Sequence, residues 1–274
     1  MAGAKTRAIL SGSGDLPRLL AEKTKEDQIN LLVVYFGEMP SWVKNYPSYQ
    51  ATFEKLGRLF AELKRQRVTE VCMAGAMKRP RLKPTKFDIP MWSMALKLLP
   101  ALKRGDDATL REVLKLFEDR GFRVISAQEI APELQATTKM KINAKLTAQD
   151  HRDIDRGLDI LKGLSAADIG QGCVVANGLC LGVETIQGTE AMLGFAGKGK
   201  SKKGGVFIKA PKHGQDRRVD MPTIGVDTVR QVAKAGLNGI ALIEDGALVL
   251  DRAKVAKAAN EAGIFITVLH KGLL

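Results

Sequence analysis

Residues 204–228, GGVFIKAPKHGQDRRVDMPTIGVDT, collect the side chains best suited to chemistry: four cations (Lys209, Lys212, Arg217, Arg218) ahead of one carboxylate, Asp220. Cations neutralise phosphate oxygens. An acid beside them either holds a metal ion or takes a proton from water, so the combination suits chemistry on phosphates. Residue type alone does not separate those two roles for Asp220. Pro211 and Pro222 stiffen the stretch, and each pushes its preceding residue towards extended geometry. Gly204, Gly205, Gly214 and Gly225 permit close backbone approach. The same composition also describes a solvated basic loop between two strands.

A second candidate lies near the N-terminus. Residues 7–36 read as strand, glycine-rich loop, helix and strand, with Ser11-Gly12-Ser13-Gly14-Asp15 as the loop and Pro17 suited to the first helical turn. The run INLLVVYF (29–36) is apolar almost throughout, as a buried parallel strand requires. Such a loop either cradles phosphate with backbone N–H groups or only turns the chain tightly. Pro17 stands where the dinucleotide fingerprint has its third glycine, which counts against an NAD(P)-dependent dehydrogenase.

These residues need a scaffold. Phe53, Leu56, Leu59, Phe60 and Leu63 predict an amphipathic helix over 53–67, followed by a strand over 70–74 that Gly75 ends. Open parallel sheets gather ligands at the carboxyl ends of their strands, where Gly14 and Gly75 would lie. The basic run Lys78-Arg79-Pro80-Arg81-Leu82-Lys83 then leads into an apolar, Trp92-bearing helix ending near Lys103 and Arg104. It reads either as a core helix beside a solvated loop or as a surface for anionic membrane or acyl chains. Asp106 or Asp107 caps a helix to residue 119, and residues 122–127 return as a strand. The pattern weakens over 129–147, taken as a linker. That gives a Rossmann-like N-terminal domain (1–134) and a C-terminal domain (135–274).

The second half is also α/β. A helix over 148–163 precedes strands over 173–176 and 179–183, joined by Asn177-Gly178, a strong hairpin signal. Glu184 closes the second strand, and Gly188-Thr189 lie in a loop entering a helix. Strands over 206–210, 240–244, 248–250 and 264–269 alternate with helices over 228–235 and from Asp251 to 262. No internal repeat is visible.

Composition narrows the partners. The 43 Lys+Arg against 30 Asp+Glu give a net charge of +13, which favours polyanions. Nucleic acid is disfavoured, because only 5% of residues are aromatic and no helix-turn-helix, zinc or RNP-type motif occurs. Cys72, Cys173 and Cys180 form no C-x-x-C pair, which suggests a reducing compartment. His151, His213 and His270 stand too far apart for zinc spacing. No apolar run reaches the ~20 residues that span a bilayer, and no secretory h-region opens the chain. A cytoplasmic protein that touches the membrane surface is the expectation.

Several short patterns, in order along nearly the whole chain, are similar to one family. They are Gly12-Ser13-Gly14-Asp15-Leu16-Pro17, Ala74-Gly75 with Arg79-Pro80, Gly105-Asp106-Asp107, and Asp168-Ile169-Gly170-Gln171-Gly172. Val183-Glu184 with Gly188-Thr189-Glu190-Ala191-Met192 follow, then Lys209-Ala210-Pro211-Lys212 and Arg218-Val219-Asp220-Met221-Pro222-Thr223-Ile224-Gly225. The set resembles the UDP-2,3-diacylglucosamine pyrophosphatases of the LpxI type, which act in lipid A biosynthesis. The resemblance implies a Rossmann-like domain and a C-terminal α/β domain with the lipid substrate in a cleft between them. It implies hydrolysis of an acylated UDP-glucosamine to UMP and lipid X with a divalent cation, usually Mg2+. It places the essential acid at Asp220; Glu184 and Asp106 are weaker candidates for metal ligand or base, Glu184 reading equally as a surface acid at a strand end and Asp106 as a helix cap. Substrate contacts are expected at Gly12, Ser13, Gly14, Asp15, Gly75, Arg79, Asp106, Gly188, Thr189, Lys209, Lys212 and Arg218. Family members pair through the C-terminal domain, so a homodimer is also raised. Relatives carry Asn or Lys after Ala74-Gly75, whereas Ala76 stands here.

Overall fold

The computed structural model describes residues 5–77, 81–102, 106–143, 145–198, 204–212 and 214–273. They form a mixed α/β protein of two units. The first comprises Met1–Pro132 together with Asp216–Asp220, and the second Glu133–Gln215 with Met221–Leu274. A single cut in the sequence does not capture that inserted pentapeptide.

The first unit carries a five-stranded, all-parallel sheet in the order β3-β2-β1-β4-β5. Its strands are β1 (Thr6–Ser11), β2 (Asn30–Phe36), β3 (Ser48–Ala51), β4 (Glu70–Ala74) and β5 (Arg123–Val124). The helices are α1 (Leu16–Glu26), α2 (Leu56–Arg65), α3 (Ile89–Leu102), α4 (Asp106–Glu118) and α5 (Ala127–Ile130). Ile9, Val33 and Val71 lose all contact with solvent, because a parallel sheet is covered on both faces. Leu59, Phe60 and Leu63 of α2, Met91, Met94 and Leu98 of α3, and Leu114 and Phe117 of α4 share one core. Val219 of the inserted pentapeptide belongs to that core.

The sheet also buries charge. Glu70 accepts hydrogen bonds from Arg7 (3.1 Å) and Arg123 (2.7 Å) and pairs with Lys5 at 2.7 Å. Arg7 donates in addition to Thr24 Oγ1 at 3.1 Å. Burial by itself would raise the Glu70 carboxyl, but the hydrogen bonds from Lys5 and Arg7 and their charges outweigh it and hold the group below the usual range.

The second unit contains α6 (Ala148–Ser165), α7 (Gly188–Ala196), α8 (Val226–Lys234) and α9 (Arg252–Ala262). Its main sheet runs β12 (Phe265–Leu269), β10 (Gly239–Ile243), β8 (Val206–Lys209), β6 (Gly172–Ala176), β7 (Leu179–Val183). The first three are parallel, and β6 and β7 are antiparallel additions. A separate pair joins β9 (Thr223–Ile224) to β11 (Leu248–Val249). Asn177 and Gly178 take φ of 52° and 79°, the doubly positive turn that an Asn-Gly hairpin demands.

Residues 129–147 are not the expected linker. Ser126 and Glu129 form a capping box on α5. Ala136 is fully buried and donates to Ala247 O at 2.8 Å. Ile142 bridges Ile266 in both directions, at 3.0 and 2.9 Å. The last two ties reach residues over a hundred positions away, so no local periodicity announces them.

Candidate functional site

In the second unit several of the expected residues meet. Lys209 ends β8, Glu184 follows β7, and Gly188-Thr189 open α7. Lys209 Nζ donates to Thr189 Oγ1 at 2.8 Å, and Thr189 Oγ1 donates to Glu184 Oε1 at 2.5 Å. The ammonium lies 3.7 Å from the same carboxylate oxygen. Lys209 and Glu184 are only 9% and 13% exposed at their side chains, so water does little to screen them. Glu184 Oε2 is buried and, among the described residues, has no hydrogen-bond partner. An unmet carboxylate oxygen in a buried position is costly, and it marks a place for a donor or a cation.

Backbone packing fixes Glu184. Its N–H donates to Gly172 O at 2.7 Å. Gly170 takes a positive φ of 53°, and a Cβ there would lie 2.0 Å from Glu184 O. A Cβ at Gly172 would lie 2.9 Å from Glu184 Oε2. The two glycines of the Asp168–Gly172 motif therefore leave room for the acid, a part that spacing in the sequence did not reveal. Asp168 of the same motif pairs with Lys212 Nζ. Beside these residues β7 and α7 wall a groove of about 300 Å³, lined by Val183, Met192 and Phe195 among others. Among the described residues its lining carries no charged side chain.

In the first unit the glycine-rich loop is bonded to the loop that follows β4. The Gly12 and Ser13 N–H groups donate to Ala74 O (2.7 Å) and Ala76 O (2.8 Å), and Ala76 N–H returns a bond to Ser13 O at 3.1 Å. Ser13 Oγ donates to Ala76 O as well. A Cβ on Gly12 would sit 2.5 Å from Ala76 O, and one on Gly75, whose φ is +84°, 2.4 Å from Ser13 O. The loops after β1 and β4 are zipped together, which accounts for both glycines structurally. Ala76 takes part through its backbone alone. Asp15 precedes α1, with its side chain 75% exposed and Arg18 at 4.0 Å.

Arg218 lies among acids of the first unit. Its fork grips Asp216 (Nε–Oδ1 3.0 Å, Nη2–Oδ2 2.7 Å), and Nη1 donates to Glu118 at 2.5 Å. The guanidinium pairs with two carboxylates. The Arg218 hydrogen bonds in turn hold the Asp216 carboxyl low, against the opposing effect of its burial. Asp220 is exposed and left-handed, with φ of 54°, a conformation an aspartate tolerates better than most side chains. Asp106 begins α4, but its side chain, like all of Arg79 and His213, lies outside the described residues. Among the described residues no three His, Cys, Asp or Glu side chains gather as a metal cage.

Comparison with known proteins adds an independent finding. The LpxI N-terminal domain model matches residues 6–134 and the LpxI C-terminal domain model matches residues 138–267. A curated relative from Caulobacter vibrioides, named UDP-2,3-diacylglucosamine pyrophosphatase LpxI, is 36% identical over 272 residues, covering 94% of this chain and 95% of the relative. The chain belongs to the LpxI family. Within this family member both halves are thus accounted for, and the Lys209, Thr189 and Glu184 set falls in the LpxI C-terminal domain. A solved structure of CobK precorrin-6A reductase aligns over 97% of this chain and 87% of that one at 11% identity, with a TM-score of 0.35. At that level the likeness bears on neither fold nor function.

Proposed function

We propose that this chain hydrolyses the pyrophosphate bond of UDP-2,3-diacylglucosamine, releasing UMP and 2,3-diacylglucosamine 1-phosphate for lipid A biosynthesis. The supporting observation is its 36% identity, across nearly the whole of both chains, to a relative named UDP-2,3-diacylglucosamine pyrophosphatase LpxI. The partly desolvated ammonium of Lys209 suits the chemistry. Water oxygen attacks one phosphorus, the bridging P–O bond breaks, and charge accumulates on the phosphate oxygens. A preorganised cation in a poorly screened site stabilises that charge. Thr189 holds the ammonium in place, and Glu184 orients Thr189. Asp220 is the proposed essential acid, accepting the proton of the attacking water or holding the cation.

A divalent cation such as Mg2+ fits these residues in a limited sense. Mg2+ usually keeps waters and takes one or two carboxylates plus substrate phosphates. Glu184 offers an open oxygen, and Asp220 is the alternative ligand. When bound, the ion would neutralise phosphate oxygens.

The test is UMP release from UDP-2,3-diacylglucosamine, with and without Mg2+, by wild type, Lys209→Met and Asp220→Asn. Cation-dependent release by wild type, lost in both variants, supports the proposal. Folded wild type that releases no UMP under any divalent cation overturns it. Release that EDTA leaves unchanged removes the cation from the scheme.

A further inference from the structure

Helix α3 presents two apolar faces. Met91, Met94, Ala95 and Leu98 are buried in the first unit's core. The opposite face carries Ile89, Trp92, Leu96 and Leu99, exposed by 90, 56, 76 and 50%. Their spacing of three, four and three residues makes one continuous stripe, about 15 Å long at 1.5 Å per residue. The core contacts of the first face prevent the helix from rolling the stripe inward. Phe87 stacks edge-on against Trp92, with ring centroids 5.2 Å apart, and extends the apolar surface.

The surroundings say what covers it. Arg81, Lys83, Lys86 and Lys97, on α3 or in the segment just before it, are exposed, and Lys97 lies 4.0 Å from Asp119. Over residues 77–104 the sequence has eight Lys and Arg against one acid, Asp88. That acid is occupied, since its two oxygens accept the backbone N–H groups of Arg58 and Met91, each at 3.0 Å. A second copy of the chain would bring the same cations together across a two-fold axis, which like charges oppose. An anionic lipid surface matches both the apolar stripe and its basic border. Among the described residues no helix is long and apolar enough to cross a membrane, so contact would be with the interface. We infer that α3 is a docking surface for an anionic bilayer, with Trp92, Leu96 and Leu99 entering the headgroup boundary and the flanking lysines meeting lipid phosphates. The surface stands independently of the reaction proposed above.

The experiment is flotation of the full chain with vesicles of phosphatidylglycerol and phosphatidylethanolamine, against vesicles of phosphatidylcholine alone. Wild type should float with the anionic vesicles only and lose binding in high salt. The double variant Leu96→Glu with Leu99→Glu should bind at least tenfold more weakly, with circular dichroism and thermal midpoint unchanged because both positions are exposed. Lys83→Glu with Lys86→Glu should lose binding by a similar factor. In a Trp42→Phe background, Trp92 emission should shift to the blue on adding anionic vesicles. Equal flotation of wild type and the leucine variant overturns the inference, as does no flotation at all. Concentration-dependent self-association of wild type that the leucine variant abolishes also overturns it, in favour of a second copy. So does an equal loss of turnover in the variant on vesicle-borne and detergent-dispersed substrate, which would make the stripe an acyl-chain contact.

Discussion

The zipped loops of the first unit make one consequence calculable. In Gly12→Ala the new Cβ would lie 2.5 Å from Ala76 O, 2.7 Å from Gly75 C and 2.7 Å from Gly75 O, all of them backbone. The closest approach is roughly 1 Å short of ordinary van der Waals contact, and no side chain can swing away to relieve it. The loops must part, which strains the three backbone bonds from Gly12, Ser13 and Ala76. At about 1 kcal/mol net for each, the variant should lose roughly 3 kcal/mol. Gly14→Ala is the control. Its φ is +94° but nothing stands within 4 Å of the new Cβ, so the cost is conformational, about 1 kcal/mol. Urea unfolding followed by tryptophan fluorescence reads this out selectively. Trp42 and Trp92 are the chain's two tryptophans, and both lie in the first unit. With a typical slope of 1–3 kcal/mol per M, Gly12→Ala should lower the midpoint by roughly 1–3 M. A midpoint within experimental error of wild type, accompanied by a raised KM, would refute steric zipping and favour the loop as a phosphate cradle.

Further outcomes follow from other sites. Glu70→Gln should destabilise the first unit by about 3–5 kcal/mol, since Arg7 would keep its buried charge without a counterion. Because the folded carboxyl sits below its ordinary value, its contribution is present at neutral pH and is lost as pH falls below the usual glutamate range near 4.3. Acid titration of stability should therefore be flatter in the variant. Lys209→Met should cut turnover by roughly 100- to 1000-fold with the fold intact by circular dichroism. Asp220→Asn keeps a side chain that tolerates the left-handed region, so its unfolding midpoint should match wild type while UMP release disappears. Under native conditions iodoacetamide should label Cys180 alone, as judged by peptide mass spectrometry. Cys72 and Cys173 are buried, and burial pushes both thiols up to about 12.

The sequence made the βαβ opening legible because buried parallel strands are nearly unbroken apolar runs, and residues 29–36 are one. It made the hairpin legible because Asn-Gly restricts the backbone to few turns. It hid β3, whose four residues SYQA form an edge strand with polar side chains, and β5, which is two residues long. For the site, residue chemistry pointed to Lys209, the family resemblance added Glu184 and Thr189, and the fold brings the three together. Position alone could not show that Arg218 would find Glu118 a hundred residues away, nor that Gly12 and Gly75 exist for each other. Those facts depend on which loops meet, and that is settled by tertiary packing.

The inserted pentapeptide has a consequence for how such a protein can be taken apart. Val219 fills a position in the first unit's core, and Arg218 anchors to Glu118 on α4. Yet both are encoded far downstream, inside the sequence of the second unit. A gene fragment ending at residue 132 would produce a first unit with an apolar vacancy and an uncompensated surface acid. The halves are therefore not interchangeable cassettes. Recombination that swapped one of them between distant relatives would have to carry the five-residue plug with it.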